Sequence, residues 1–285
     1  MRSPGRKTRD AVIVDAESSS SGVKSAERVL AILEYLATNR EATFSSITRD
    51  LALPNSSAHE LLRTMARRRF IELDPINRRF CLGIRAWEIA QGYTAASNLV
   101  VLARPLMQEL TARTLETVQL ACLDGLENVY LAISESPHPM KLVSKPGGRL
   151  PAHATGLGKV LLASLPEDEL ARRLDGVELA RFTERTIVDV EALGLELVRI
   201  RARGFGEDNE EYVVGCRCIA MPIRGPELGV VAAMSVSVPT PRFNQAVARW
   251  IREALAKAVA ELESRLDDDR RGGLPFANGA ARHSR

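Results

Sequence analysis

The sequence lacks the features that define several large classes of protein. It has no apolar run of about 18 residues, so no membrane-spanning helix is expected. Residues 1–22, MRSPGRKTRDAVIVDAESSSSG, have no long apolar core of a secretory signal and are predicted to be a disordered arm. The four cysteines show no disulfide-scaffold pattern. We therefore expect a protein of the reducing cytoplasm, without a membrane partner.

Net charge is also small, at +3, and by itself excludes no class of partner. Its distribution says more. Residues 23–82 hold ten Lys and Arg against seven Asp and Glu, whereas residues 83–285 hold 25 against 26. The excess of positive charge therefore falls in the first part of the chain, where it suits DNA, although a few surface arginines would give the same balance by chance.

Recognisable catalytic and metal-binding patterns are missing. The four histidines stand in no catalytic motif, and there is no metal triad, nucleophile elbow or paired acid–base group. Cys216 and Cys218 lie two residues apart, but zinc would need a second pair, so small buried strand residues are the better interpretation. His153 is expected to hydrogen-bond locally rather than to react. We predict no catalytic residue, no metal, no cofactor and no enzyme activity.

The stretch from Thr43 to Leu82 carries the strongest positive signal. Apolar periodicity predicts a first helix before this stretch, over residues 25–39, and two helices within it, over 45–51 and 55–68. Alternating residues and a turn predict two strands, over 70–73 and 78–82. Ser25 is predicted to be the N-cap of the first helix, and Leu53-Pro54-Asn55 is predicted to end the second helix before the third begins. Three helices followed by a basic two-strand ribbon predict a winged helix-turn-helix over residues 23–83, a unit that binds DNA.

The third of these helices has two faces. Ala58, Leu61, Leu62 and Met65 cluster on one side, while the opposite side carries short polar side chains and arginines. Such a side suits base edges and phosphates; an ordinary solvated helix face is the alternative interpretation. Ser57 and Glu60 also have capping-box spacing. The residues predicted to contact DNA are Ser45, Asn55, Ser56, Ser57, His59, Glu60, Arg63, Arg67 and Arg78.

Beyond residue 83 the sequence predicts a linker helix over 84–98 and a second domain over 99–266. Strands and helices come in blocks there, which favours an α+β fold around a mainly antiparallel sheet over a doubly wound parallel one. Residues 267–285 are predicted to be a disordered tail. The predicted strands cover 118–123, 128–134, 140–144, 212–224 and 230–238, and the predicted helices 102–115, 158–164, 167–174, 189–203 and 244–266.

A turn of small residues at 154–159, Ala-Thr-Gly-Leu-Gly-Lys, leads into a helix. Free N–H groups and the helix dipole favour an anion there, so a carboxylate ligand fits; a tight turn packed on the sheet is the alternative. A nucleotide phosphate loop is rejected because Val160 follows Lys159 and the glycine spacing differs. Ser235 and Ser237 share one face of an apolar strand, which indicates either a polar pocket wall or an exposed sheet edge.

Three motifs together resemble the IclR family of bacterial transcription regulators: the winged unit ending in DPINRRFCLG, then PAHATGLGKVLLA, then EEYVVGCRCIAMPI followed by AAMSVSVP. The resemblance covers about residues 23–265. It implies a GAF-like effector-binding domain, homodimers or homotetramers on paired operators, and small organic or aromatic acids as effectors. The residues that match the family's ligand pocket are Gly156, Leu157, Asp208, Cys218, Ser235 and Ser237, to which Leu150 would add an apolar wall.

One position departs from the family pattern. Glycine usually follows the recognition helix, just before the aromatic residue that starts the wing, and this chain has Arg69 there. Arginine costs more than glycine in a left-handed helix stop. The junction is therefore expected either to differ from the family's or to gain a phosphate contact.

These features predict a ligand-responsive, sequence-specific transcription factor that binds double-stranded operator DNA of a catabolic operon. RNA polymerase is a further expected partner if the protein activates. Two alternatives remain: an enzyme acting on its ligand, and an architectural DNA binder. The missing catalytic patterns speak against the first, and the modest basic charge with a large, nearly neutral second domain speaks against the other.

Overall fold

The computed structural model describes residues 23–91, 94–226 and 229–271. The chain divides into two compact units, with the boundary between residues 92 and 93. The arm predicted at 1–22 lies outside the described residues, as does the tail from residue 272 onward. No helix in the described ranges is both long enough and apolar enough to cross a membrane.

The first unit consists of helices around a three-stranded antiparallel sheet of order β1-β3-β2. Its core is formed by apolar residues that recur at helical spacing, among them Ile32, Leu36, Ile47 and Leu62. Its elements are α1 (Lys24–Asn39), β1 (Glu41–Thr43), α2 (Phe44–Asp50), α3 (Asn55–Arg67), β2 (Ile71–Asp74), β3 (Arg79–Leu82) and α4 (Ile84–Gln91).

Three details of this unit correct the sequence predictions. Ser25 is not an N-cap, because α1 begins at Lys24 and Val23 precedes it without a capping side chain. Ser57 and Glu60 form no capping box, because α3 begins at Asn55 behind Pro54 and has no side-chain cap. The strand β1 was not predicted; its three residues are extended by pairing with β3 rather than by their own propensity.

The linker helix predicted over 84–98 includes residues 92 and 93, which lie outside the described residues. On either side of them, α4 ends at Gln91, and α5 (Thr94–Thr114) begins eight residues before the start predicted for it at 102. α4 belongs to the first compact unit and α5 to the second.

The second unit is built on a six-stranded sheet of order β6-β5-β4-β9-β8-β7, in which every neighbouring pair is antiparallel. It is an α+β fold, as the sequence predicted. After α5 its elements are β4 (Thr117–Asp124), β5 (Glu127–Ser134), β6 (Arg149–Pro151), α6 (Gly156–Ala163), α7 (Glu167–Leu174), α8 (Val190–Arg203), β7 (Gly206–Asn209), β8 (Cys216–Gly225), β9 (Gly229–Pro239) and α9 (Gln245–Arg271).

The two faces of this sheet bury different helices. One face packs α5 and α9 in a core that includes Val236 and Val238, while the other packs α6 and α8 in a core that includes Ala233 and Ala220. Because successive strand residues point to opposite faces, Ser235 and Ser237 lie on the α6 side. Both serines are buried, so the alternative of an exposed sheet edge is wrong.

Several boundaries in this unit also differ from prediction. The strand predicted at 140–144 is absent, and its Val143 is 80% exposed. The strand predicted at 212–224 begins only at Cys216, and β6 and β7 were missed. At the other end, α9 continues to Arg271, so the first residues of the predicted tail are helical.

Candidate functional site

Helix α3 presents the two faces that the sequence predicted. Ala58, Leu62 and Met65 are buried in the first unit's core, and Leu61 is partly buried beside them. The opposite face is solvated. Of the predicted DNA contacts, Ser45 on α2 and Arg78 on the wing are exposed, Ser57 is half-buried, and the exposed residues of α3 are Asn55, Ser56, His59, Glu60, Arg63 and Arg67.

The arginine at the centre of this face is only loosely held. Arg63 Nη1 lies 3.9 Å from Glu60 Oε1, and both side chains are about two-thirds exposed. An exposed ion pair of this kind contributes little stability, so the guanidinium is free to exchange Glu60 for another acceptor. This chemistry suits a bidentate contact with a guanine edge or a contact with a phosphate.

The wing tip is shaped by one carboxylate. Asp74 Oδ1 accepts the backbone N–H groups of Ile76 at 2.8 Å and Asn77 at 3.2 Å. These bonds, with one from the Asn77 side chain, hold the pKa of Asp74 below its usual range. Arg78 follows at φ 56° and is exposed, whereas Arg79 donates to Glu41 at 2.8 Å. Arg78 is therefore the better placed of the two to meet a DNA backbone.

Arg69 adopts a left-handed conformation, with φ 64°. Its carbonyl oxygen accepts the N–H of Arg85 at 3.1 Å. Gly83 closes the same junction, because a β-carbon on it would lie 2.3 Å from the Arg69 oxygen. A non-glycine residue therefore holds a left-handed conformation in the helix-to-wing turn, at a cost in backbone strain.

We expect Arg69→Gly, made in the full-length chain, to raise the free energy of unfolding of the first unit by about 1 kcal/mol. The reason is that glycine carries no steric penalty at positive φ. Urea denaturation followed by circular dichroism measures this. Arg68→Gly is the matched control, since Arg68 has φ −85° and should gain nothing. If both variants lose stability, Arg69 is held by contacts that outweigh its strain. A parallel loss of DNA affinity in Arg69→Gly would identify a phosphate contact.

In the second unit, the start of α6 lies against β7 and β8. A β-carbon on Gly156 would come within 2.7 Å of Cys218 Sγ and 3.2 Å of the Asp208 backbone nitrogen. Leu157 is buried beside it, in the same core as the sheet. The strand register adds Ser237 on β9, which pairs with Cys218, while Cys218 pairs with Asp208. Five of the predicted effector residues are thus adjacent, and the sixth, Ser235, lies two residues further along β9.

One N–H group at the start of α6 already has a side-chain partner. Gly158 N–H donates to Thr155 Oγ1 at 3.1 Å. Thr155 in turn donates its hydroxyl to Asn128 Oδ1 at 2.7 Å. The Gly158 N–H is therefore not available to a ligand, and the carboxylate site at the start of α6 stays a prediction.

A buried ion pair lies behind these residues. Lys159 is 1% exposed, and its Nζ donates to Glu211 Oε1 at 2.5 Å and Oε2 at 2.6 Å. Glu211 N–H donates to Asp208 Oδ1 at 2.7 Å, which ties the ion pair to the predicted effector residues. From the sequence, Lys159 was considered only as part of a phosphate loop, and no role was predicted for Glu211. Nothing in the local pattern marks a partner 52 residues away.

Burial raises the pKa of Asp208 to about 7, and the negative charge of Glu211 adds to this. Lys159 and backbone N–H groups act in the opposite direction without cancelling it. The folded state therefore favours the neutral carboxylic acid. Unfolded aspartate ionises near pH 4, so the stability that Asp208 contributes is complete below pH 4 and is lost as the pH rises through about 7.

We expect Asp208→Asn to remove this dependence, because an amide stays neutral. The variant should gain roughly 2–3 kcal/mol of stability over the parent between pH 5 and pH 8, because the parent loses stability over the two pH units from 5 to about 7. Melting temperatures of the second unit at both pH values measure the difference. An equal effect of pH on the parent and the variant would mean that Asp208 is already ionised at pH 5.

Three buried polar side chains, Gln119 on β4 and Ser235 and Ser237 on β9, form a polar cluster on the side of the sheet that faces α6. Gln119 is completely buried, and its Oε1 accepts the hydroxyls of Ser235 at 3.1 Å and Ser237 at 3.0 Å. Tyr130 on β5 belongs to the same region: burial raises its pKa, and the charges of Cys218 and Tyr212 raise it further. Neither residue was predicted from the sequence, although a single glutamine within an apolar strand is a detectable signal.

Three other predictions concern the edges of this site. Leu150 lies on the edge strand β6, at the other end of the sheet order from Cys218, so its place in a ligand pocket stays a prediction. His153 hydrogen-bonds to the Ala180 carbonyl at 2.9 Å, which joins the 3-10 turn before α6 to the segment after α7. Within the described residues, no group of three or more His, Cys, Asp or Glu side chains has the arrangement of a metal site.

A winged helix-turn-helix with a solvated, arginine-bearing third helix, followed by an α+β unit with a buried polar site, defines a two-domain DNA-binding regulator of the ligand-sensing class. Comparison with known proteins makes this specific. Residues 25–75 match the IclR helix-turn-helix domain, and residues 91–264 match the C-terminal domain of bacterial transcriptional regulator IclR. The chain belongs to the IclR family of bacterial transcriptional regulators.

Individual relatives agree along most of the chain. The HTH-type transcriptional regulator BhcR of Paracoccus denitrificans is 36% identical over 262 residues, which cover 92% of this chain and 94% of BhcR. KdgR of Escherichia coli is 34% identical and covers 81% of this chain and 88% of its own length. An IclR homologue of Microbacterium hydrocarbonoxydans, solved with 4-hydroxybenzoate, has 30% identity, a TM-score of 0.76 and coverage of 86% and 99%.

Proposed function

We propose that this protein is a cytoplasmic regulator that binds a paired operator through α3 and releases or rearranges on it when a small organic or aromatic acid occupies the site beneath α6. The single observation that carries the DNA-binding part is the exposed polar face of α3, opposite a fully apolar buried face. The wing residue Arg78 and the loosely paired Arg63 supply phosphate and base contacts.

The effector part is supported by the polar residues gathered under α6 and by a relative that binds 4-hydroxybenzoate. A ligand shifts a regulator only if it binds one arrangement of the protein better than another. Residues Gly156, Leu157, Asp208, Cys218, Ser235 and Ser237 are proposed to form this site, with Leu150 as an outlying apolar contact. Such a ligand is bound rather than converted, so we propose no enzyme activity.

A homodimer or homotetramer is the proposed assembly. The exposed large apolar side chains of the first unit include Leu30 on α1 and Trp87 and Ile89 on α4, and burial against a second copy would remove them from water. A two-fold dimer also matches an operator made of two half-sites. RNA polymerase is a further proposed partner where the regulator activates transcription.

Arg63→Ala tests the role of α3. We expect affinity for an operator fragment to fall about 10- to 100-fold, while affinity for unrelated DNA falls much less, because a base contact carries sequence information. Fluorescence anisotropy at several salt concentrations measures both. A uniform loss on all DNA, with a shallower salt dependence, would make Arg63 a phosphate contact.

The chain offers a closely matched control for this experiment. Arg199 on α8 is 70% exposed, as Arg63 is, and it also faces a glutamate three residues earlier, at 3.7 Å. Arg199→Ala removes the same charge from the second unit and should leave operator affinity unchanged. If Arg199→Ala weakens binding as much as Arg63→Ala does, overall charge accounts for the effect and α3 is not the recognition helix.

A further inference from the structure

An acidic side chain lies in the middle of the surface that is proposed to meet DNA. Glu60 is on α3, and its side chain is 68% exposed on the face opposite the one that packs in the core of the first unit. DNA carries one phosphate charge for about every 1.7 Å of its axis, so a carboxylate on this face opposes contact with the DNA backbone. Attraction to phosphate therefore explains Arg63 and Arg67 but not Glu60.

The usual structural roles of a helical glutamate do not apply to Glu60. The helix begins behind Pro54, which has no N–H to donate to a capping carboxylate. Glu60 Oε1 lies 3.9 Å from Arg63 Nη1, which is beyond hydrogen-bond distance, and an exposed pair of this kind contributes little stability. In the described part of the chain the carboxylate makes no hydrogen bond, so its oxygens are available as acceptors.

The major groove offers such an acceptor one well-matched donor. Guanine presents only the acceptors N7 and O6 there, and thymine presents O4 and a methyl group. Adenine presents an N6 donor beside the N7 acceptor, a combination that suits an amide, which has both a donor and an acceptor. Cytosine presents its N4 amino group, which donates to a carboxylate. Glu60 therefore favours cytosine.

The base pair next to this cytosine suits Arg63. A guanidinium binds the N7 and O6 acceptors of guanine together. Residues three apart share a helix face and lie about 4.5 Å apart along its axis, which is closer to one base-pair step of about 3.4 Å than to none or to two. Because Glu60 and Arg63 also approach to 3.9 Å, they can contact two stacked base pairs without separating.

We propose that Glu60 accepts a hydrogen bond from the N4 amino group of a cytosine in the major groove, and that Arg63 binds a guanine in the neighbouring base pair. This inference rests on the proposed function, in which α3 is the recognition helix. Glu60 is then a specificity-determining residue, because it weakens binding to DNA in general and gains a bond only at a cytosine. Each operator half-site is expected to contain two successive G·C pairs at this place.

The first experiment selects binding sequences from a library of random DNA duplexes with the full-length parent, Glu60→Ala and Arg63→Ala. The parent should prefer cytosine at one position by about 10-fold, and Glu60→Ala should lose this preference only there. Arg63→Ala should lose the preference for guanine at the neighbouring pair. Fluorescence anisotropy should show that Glu60→Ala binds unrelated duplexes at least as tightly as the parent does, since a repulsive charge has been removed.

Modified bases in the selected duplex test the contact at single atoms. N4-methylcytosine replaces the amino hydrogen that faces the major groove and keeps the hydrogen that pairs with guanine. The parent and Arg63→Ala should bind this duplex about 10-fold more weakly than the unmodified one, whereas Glu60→Ala should bind both equally. At the neighbouring pair, 7-deazaguanine lacks the N7 acceptor and should weaken the parent and Glu60→Ala but not Arg63→Ala.

Glu60→Gln gives a readout that a loss of folding cannot imitate. An amide matches the N6 donor and N7 acceptor of adenine, so this variant should move the preference from cytosine towards adenine at the same position. The matched control is Glu109→Ala in the second unit. Glu109 is 67% exposed and lies 3.8 Å from Arg113, so the same charge is removed from a similar pair. It should leave the selected sequence unchanged.

The outcomes separate the inference from the proposed function. If the parent selects no sequence from the library, sequence-specific binding fails and the role of Glu60 fails with it. If the parent selects a sequence and Glu60→Ala selects the same one with equal strength at every position, only the inference is wrong. A preference lost at an A·T pair, or an equal response of the parent and Glu60→Ala to N4-methylcytosine, would also overturn it.

Discussion

Replacing Lys159 with methionine is expected to lower the free energy of unfolding of the second unit by about 3–5 kcal/mol. Methionine matches the volume of lysine but removes the only charge that pairs with the buried carboxylate of Glu211 among the described residues. Because Glu211 is 6% exposed, its charge would be left without solvent or a counterion. Urea denaturation followed by circular dichroism measures the loss.

Two further variants show that the buried charge is the cause. Lys159→Met combined with Glu211→Leu should recover most of the stability, since an apolar pair replaces the ion pair as a whole. Lys141→Met breaks a partly exposed pair with Glu135 and should cost less than about 1 kcal/mol. If the single Lys159 variant is no less stable than Lys141→Met, water reaches the ion pair and the pair is not sealed from solvent.

A second large loss of stability is expected from Gly158→Ala, of more than about 3 kcal/mol. The added β-carbon would lie 2.2–2.6 Å from three backbone atoms of Ala152, so no flexible side chain could move to make room. The start of α6 would have to separate from the 3-10 turn before it. Since α6 covers the proposed effector site, binding of any ligand there should be lost as well.

Gly194→Ala is the matched control for this change. Gly194 also lies inside a helix, α8, but a β-carbon there meets nothing within 4 Å. Alanine should therefore stabilise the helix by about 0.5–1 kcal/mol. The melting temperatures of both variants test this difference. If the Gly158→Ala protein is as stable as the Gly194→Ala protein, α6 and the 3-10 turn that contains Ala152 are not in close contact.

Much of the fold could be predicted from the sequence where periodicity was strong. Helix α7 has the predicted bounds, and α3 buries the predicted face. The errors fall where neighbouring elements override local preference. β7, with the sequence Gly-Glu-Asp-Asn, has little strand propensity of its own and is extended by pairing with β8. The segment 140–144 alternates like a strand but pairs with no other strand in the described structure.

The candidate site could be predicted only in part, for the same reason. The small residues around Gly156 and the two serines were visible as local motifs. Gln119 contacts serines 116 and 118 positions later in the chain, and Lys159 meets Glu211 across 52 residues. Contacts over such distances depend on the sheet register, which single-sequence patterns do not specify. The roles assigned to these residues therefore come from burial and hydrogen bonding.

We propose that this chain binds specific operators and that an organic acid changes this binding. The most direct test incubates the purified full-length protein with fragmented genomic DNA from the source organism, with and without small organic acids. The DNA that the protein retains is then sequenced. We predict sharp peaks at a few promoters that diminish or shift when one acid is added. Diffuse recovery that disappears at modest salt, unaltered by every acid, would contradict the account and indicate non-specific electrostatic binding.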